Sequence, residues 1–210
     1  MLFSYYFFEH MRVHDTPNPK FRSLVGSGVA ELASAAGKDP FDWVFDHALE
    51  GGMQTLFDCK LFNVDEQKVR DLLIHPCAAI GLGDAGAHLS FLCDAGFGLH
   101  LLGHWVRERG DLTLEQAVQM LTSRLADAYR IPDRGRLVPG AHADVILFDP
   151  QTVGRGEKRR VADLPAGASR VDIAPLGLKG VWVNGKRVVD EAGPLTNCGN
   201  PGVLIRHFPA

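Results

Sequence analysis

The stretch Gly81-Leu-Gly-Asp-Ala-Gly-Ala-His88 sets one carboxylate among glycines, directly after the apolar run Cys77-Ala-Ala-Ile80. A carboxylate in such a place can bind a metal, take a proton from water, or do both. Flanking glycines let the backbone turn sharply and let a ligand approach closely. His88 can donate to Asp84 or to a substrate oxygen. A plainer account uses the same residues: Asp84 hydrogen-bonds the backbone of its own turn, as an Asx turn. Local features alone leave both accounts open.

Other chemistry-bearing residues are read more simply. His100 and His104 share a helix spacing, but Leu99, Leu101, Leu102 and Trp105 around them point to packing. His10 and His14 have the same spacing, and Pro17 argues against a helix there. Cys59, Cys77, Cys93 and Cys198 form no CxxC pair and read as packed free thiols. Arg107, Glu108 and Arg109 read as a solvated helix end, and Asp144 as a structural group that links the later β portion to the helical portion before it. The glycine-rich loop lacks the pattern of a phosphate cradle.

The elements that must position Asp84 follow from periodicity and punctuation. A helix is predicted after Gly28 and ends at Gly37. A second starts with Asp39 as cap and Pro40 as first residue, with Phe41, Val44, Phe45 and Leu49 as its apolar face. A third spans roughly 65–74 and closes at His75-Pro76. The apolar run 77–80 is predicted to be a strand that delivers Asp84. Leu99 to Val106 predict a helix ending near Gly110, and Thr113-Leu-Glu-Gln116 a capping box that opens another. After Arg134-Gly135 the pattern turns to β. Residues 143–148 read as a buried strand, 151–175 as a polar excursion, and Asn184-Gly185 as the type I′ turn of a hairpin. The tail from Gly193 reads as irregular.

The chain has 210 residues, 46% hydrophobic and 22% charged, with a net charge of −3. That is enough for a sizeable core, and no Lys/Arg-rich run suggests nucleic acid. The apolar start Met1–Phe8 is too short to span a bilayer and lacks the pattern of a signal peptide, so a buried strand or a contact with another chain is expected. A cytoplasmic location, no membrane and reduced cysteines are the expectation.

Taken together, the Asp84 stretch, Cys93-Asp-Ala95, Leu102-Gly-His-Trp-Val-Arg-Glu-Arg109, Arg134-Gly-Arg-Leu-Val-Pro-Gly-Ala-His-Ala-Asp-Val-Ile-Leu-Phe-Asp149 and Gly180-Val-Trp-Val-Asn-Gly185 resemble the amidohydrolase superfamily. The resemblance is closest to its N-acyl-D-amino-acid deacylase (D-aminoacylase-like) branch and runs from about Gly28 onward. It implies an α/β fold: the C-terminal part of a (β/α)8 TIM-type barrel, incomplete, followed by a small β-sandwich half. Residues 1–134 would be the partial barrel and 135–210 the sandwich portion. It implies Asp84 as general acid/base and metal-site residue, zinc as the cofactor whose bound water is activated, His88 as a substrate-binding group, and a linear N-acyl amino acid as substrate. The family's H-x-H pair does not occur in this sequence, nor does an arginine in Leu89–Phe97. Two expectations follow. The chain is either part of a working hydrolase, completed by an N-terminal complement or a homo-oligomer, or a non-catalytic fragment that folds or self-associates.

Overall fold

The computed structural model describes residues 5–60, 62–206 and 208. The chain forms two compact units, residues 1–71 and 72–210.

The first unit opens with helix α1 (Tyr5–Glu9) and strand β1 (Met11–Asp15). A 3-10 turn (Pro19–Leu24), α2 (Val29–Ala35), α3 (Pro40–Glu50) and β2 (Leu56–Cys59) follow. Helix α4 (Glu66–Leu73) carries the chain onward. β1 and β2 pair antiparallel, with Met11 opposite Cys59 and Val13 opposite Phe57. From Met11 to His14 the burial of β1 alternates: Met11 and Val13 are buried, Arg12 and His14 exposed. The buried pair joins Phe8, Val29, Ala33 and Trp43 in one core. The strand expected at the start falls partly on residues 1–4, outside the described residues. From Tyr5 the chain is helical instead, and Phe8 packs edge-on against Phe41 at 4.5 Å.

Helix α3 starts as predicted, with Asp39 accepting the Phe41 N–H at 2.9 Å and Pro40 at the first turn. Its inner face matches the prediction in part: Phe41 and Val44 pack against the core. Trp43 and His47 are buried, whereas Phe45 and Leu49 are 61% and 71% exposed. Residues four apart share a helix face, and the His47 ring stacks on the Trp43 indole at 4.7 Å. A neutral imidazole can thus occupy a position that a hydrophobicity pattern assigns to solvent.

The second unit holds α5 (Phe97–His100), a π-helix (Leu101–Glu108), α6 (Leu114–Leu121) and α7 (Ser123–Ala128). It continues with β3 (Val145–Phe148), β4 (Gly154–Val161), a short 3-10 turn (Pro165–Gly167) and β5 (Arg170–Leu176). It ends with β6 (Leu178–Val183), β7 (Lys186–Asp190) and β8 (Gly193–Pro194). A four-stranded sheet runs β3-β6-β7-β8, and β4 pairs with β5. Every strand pairing among the described residues is antiparallel.

The capping box forms as expected: Thr113 accepts from Gln116 N, and the Gln116 side chain accepts from Thr113 N. The β6–β7 hairpin turns at Asn184 and Gly185, both at positive φ, as a type I′ turn requires. Other expectations are corrected. The helix through Leu101–Glu108 has the wider π turn, with Arg109 N–H bonding the His104 carbonyl at 2.9 Å. The polar stretch 151–175 is mostly the β4–β5 hairpin. In β3, Ile146 and Leu147 are 59% and 54% exposed, so that strand is not buried. Residues 77–80 form no strand. A strand needs a neighbour to take its backbone groups; here the Ala78 carbonyl accepts from the Arg124 guanidinium at 3.1 Å. The buried apolar residues of this unit include Leu101, Leu102, Trp105, Leu112, Ala117, Met120 and Val153. Among the described residues no helix is long and apolar enough to cross a membrane.

The Asp84 loop as candidate active site

After α4 the chain turns at His75, whose carbonyl accepts from Ala78 N and whose Nδ1 accepts from Cys77 N. Residues 77–83 then run irregularly into a turn closed by Ala87 N–H to the Asp84 carbonyl at 3.1 Å. It is the backbone oxygen that closes this turn. Asp84 is exposed, and among the described residues no hydrogen bond engages its carboxylate. The Asx turn allowed by the local reading is therefore not formed.

His88 follows at φ 50, a conformation that costs a non-glycine residue energy. Its carbonyl accepts from both Phe91 N and Leu92 N at 3.0 Å, and its ring stacks on Phe91 at 5.0 Å. The exposed imidazole faces Phe91; no hydrogen bond joins it to Asp84.

Three elements hold this loop by its backbone. Arg124 of α7 binds the Ala78 carbonyl, Arg155 of β4 donates to the Cys93 carbonyl at 3.1 Å, and Val171 N–H of β5 donates to the Leu89 carbonyl at 2.8 Å. Glycines permit the close approaches. A Cβ on Gly83 would meet the Asp94 carbonyl at 3.2 Å and the Phe97 ring at 3.3 Å. Neither arginine stands out in the sequence. The one local hint is that Arg155 lies between two glycines, in Gly154-Arg-Gly156.

Other candidates settle into structure. His104 Nδ1 lies 2.9 Å from Glu108, and its ring stacks on His100 at 4.9 Å. That hydrogen bond is the chief cause holding the Glu108 carboxyl below its usual range. Arg107 is not merely solvated: it donates to the Val153 carbonyl. Arg109 lies over the Trp105 ring at 5.0 Å and pairs with Asp111. All four cysteines are free thiols. A groove of about 690 Å³ lies between the Phe97–Leu102 segment, α6 and β3–β6, lined by Phe97, Leu121, Leu137, Ile146 and Trp182, with neither Asp84 nor His88 on its wall.

Among the described residues, no three His, Cys, Asp or Glu side chains converge to hold a metal ion. A zinc site needs three or four such donors in one shell. These residues therefore do not by themselves fit the zinc site that the resemblance implies.

The Amidohydrolase family model matches residues 22–189, a span that contains the Asp84 loop and all three of its backbone anchors. The N-acyl-D-glutamate deacylase of Alcaligenes xylosoxydans xylosoxydans is 33% identical over 91% of this chain and 35% of its own length. The N-acyl-D-aspartate deacylase of the same organism is 30% identical over 69% of this chain and 27% of its own. The chain thus spans about a third of the length of these curated relatives. Among solved structures, the N-acyl-D-glutamate deacylase of Bordetella bronchiseptica, complexed with zinc and a phosphonate inhibitor that mimics the tetrahedral intermediate, is similar at 27% identity and TM-score 0.52. That match covers 95% of this chain and 38% of the other. With most of its length under the family model, the chain belongs to the amidohydrolase family.

Proposed function

We propose that the chain supplies the acid/base side of a deacylase that hydrolyses linear N-acyl amino acids. The observation that carries this is Asp84: an exposed carboxylate, free of its own turn, on an anchored glycine-flanked loop inside the family match. The likeness to N-acyl-D-glutamate and N-acyl-D-aspartate deacylases supports this substrate class. Asp84 takes a proton from water as the water oxygen attacks the acyl carbon. The C–N bond then breaks, and the proton passes from Asp84 to the departing nitrogen, releasing a carboxylic acid and a free amino acid. His88, on the same loop, is the proposed substrate contact.

In this reading residues 1–134 belong to a (β/α)8-barrel portion and 135–210 to a β-sandwich portion. Zinc is the proposed cofactor and Asp84 this chain's contribution to its site, the remaining ligands coming from an N-terminal complement or another copy. The protein is proposed to work in the cytoplasm.

The test is hydrolysis of N-acetyl-D-glutamate and N-acetyl-D-aspartate with zinc supplied, by the chain alone and with an N-terminal complement. Activity that falls by about 10²–10⁴-fold in Asp84→Asn is expected of a lost acid/base. Hydrolysis undiminished in that variant overturns the assignment. A second reading, a non-catalytic or oligomerising module of an amidohydrolase, is favoured by the lack of a metal-ligand cluster among the described residues. It predicts no stoichiometric zinc and no hydrolysis under either condition.

A further inference from the structure

We propose that Arg155 is a positioning residue for Asp84, holding the far arm of the Asp84 loop by a main-chain carbonyl; the proposal rests on Asp84 being the acid/base. A short chain of contacts connects the two residues. Arg155 Nη2 donates to the Cys93 carbonyl at 3.1 Å. The next residue, Asp94, places its carbonyl 3.2 Å from where a Cβ of Gly83 would stand. Gly83 immediately precedes Asp84, so the arm that Arg155 holds lies directly against the residue that leads into Asp84. The Phe97 ring lies 3.3 Å from the same point.

The path of the Arg155 side chain is itself built. Gly96 has φ 80, and a Cβ there would meet Arg155 Cγ at 3.2 Å. The arginine stem crosses the bare Cα of Gly96 and reaches Cys93 beyond it. The start of β4 is fixed in turn by the π-helix: Arg107 donates to the Val153 carbonyl, and Gly103 packs against Val153 and Gly154. Val153 is almost fully buried. The guanidinium thus hangs from a rigid point, and a guanidinium on a carbonyl is a stronger tether than a neutral donor.

The Cys93 thiol reports on this tether without any need for turnover. Residue-resolved alkylation of the full chain, followed by mass spectrometry, gives its labelling rate, with Cys198 in the tail as internal control. Loss of the hydrogen bond in Arg155→Ala is expected to raise Cys93 labelling about tenfold, with Cys198 unchanged. Arg155→Met keeps a stem over Gly96 but no donor and is expected to match Ala. Arg155→Lys restores a donor and is expected to regain most of the protection. Cys93 labelling at the parent rate in Arg155→Met overturns the tether. If Arg155→Ala speeds both cysteines, the Lys and Met variants decide: a tether makes Cys93 slower to label in Lys than in Met, whereas a nearby positive charge alone would favour the thiolate and make it faster.

In a preparation that hydrolyses substrate, Arg155→Met is expected to lower kcat about tenfold with KM within about twofold, because a displaced acid/base is felt in the chemical step. An opened loop with unchanged kcat overturns the positioning role. Asp84→Asn is expected to label at Cys93 like the parent. Failure of the deacylase reading therefore shows in that variant's hydrolysis, and failure of the tether in the labelling.

Discussion

Asp144 accepts a hydrogen bond from the backbone N–H of Asn184 at 2.8 Å, a partner 40 residues further along the chain. Its second oxygen takes the Arg134 guanidinium. Asn184 is the first turn residue of the β6–β7 hairpin, and its side chain reaches His142 and the Pro201 carbonyl. One carboxylate therefore ties the entry into β3 to the tip of the hairpin. Asp144→Ala strands a turn N–H and an arginine together. It is expected to cost about 1–2 kcal/mol, and Asp144→Asn less, since the amide oxygen still accepts from Asn184. Urea unfolding followed through tryptophan fluorescence, with Trp43 and Trp105 replaced by Phe so that Trp182 reports alone, reads both; equal stability of the Ala variant and its background would refute the clasp.

His47 sets a pH dependence in the first unit. Its ring is held against Trp43 and Phe21, at 4.7 and 3.9 Å, and its Nε2 is buried without a hydrogen-bond partner. Burial lowers its pKa, against a smaller opposing pull from Glu50. The unfolded chain therefore binds this proton more readily than the folded one. The contribution of neutral His47 is fully present above the ordinary histidine value of about 6.5 and is lost as pH falls below it. Thermal unfolding between about pH 7.5 and 5 is expected to show a falling Tm in the parent and a flatter profile in His47→Phe. The Phe variant should be at least as stable at neutral pH, because it removes an unsatisfied buried polar atom. A parent profile flat through that window would exclude the role.

Gly103 faces the backbone of the β4 strand and tests how tightly the π-helix sits. A Cβ there would stand 2.7 Å from the Val153 carbonyl and 3.0 Å from Gly154 Cα, both main-chain atoms. Main chain cannot swing aside as a side chain can. Gly103→Ala is expected to destabilise the second unit by about 1–3 kcal/mol despite the better helix propensity of alanine. Chemical denaturation measures it, and an unchanged midpoint would mean the contact is slack.

Features carried by local chemistry are legible in the amino-acid sequence itself. Asp39-Pro40, Thr113 with Gln116, and Asn184-Gly185 each satisfy their own backbone within a few residues, so their geometry follows from their types. Features set by distant neighbours are not legible in this way. Trp43 and His47 lie inward because an indole and a neutral imidazole stack, which no hydrophobicity scale credits to histidine. The π turn after Leu101 and the β4–β5 hairpin rest on contacts such as Arg107 with Val153, far apart in sequence. At the site the split is the same: Asp84 stands out by its glycines, whereas Arg124 and Arg155, which anchor its loop through carbonyls, leave almost no local mark. The apolar run 77–80 reads as a strand, yet pairing needs a neighbour, and here an arginine takes the carbonyl instead.

The second unit carries unusual apolar exposure. Leu82 is 88% exposed and Leu137 79%, with Ile146 and Leu147 of β3 each more than half open. Val203 and Leu204 add to it at 64% and 73%. Soluble monomers seldom leave so many large aliphatic side chains to water, and an open strand edge adds unpaired backbone groups. A dimer or higher assembly is the expected outcome in solution, through burial of part of this surface. Light scattering across a range of concentrations measures it directly. Leu147→Lys places a charge on β3 and should shift the balance toward smaller species if that strand is covered in the assembly. A parent chain that stays monomeric at all concentrations would overturn the expectation, and an assembly indifferent to Leu147→Lys would place its interface away from β3.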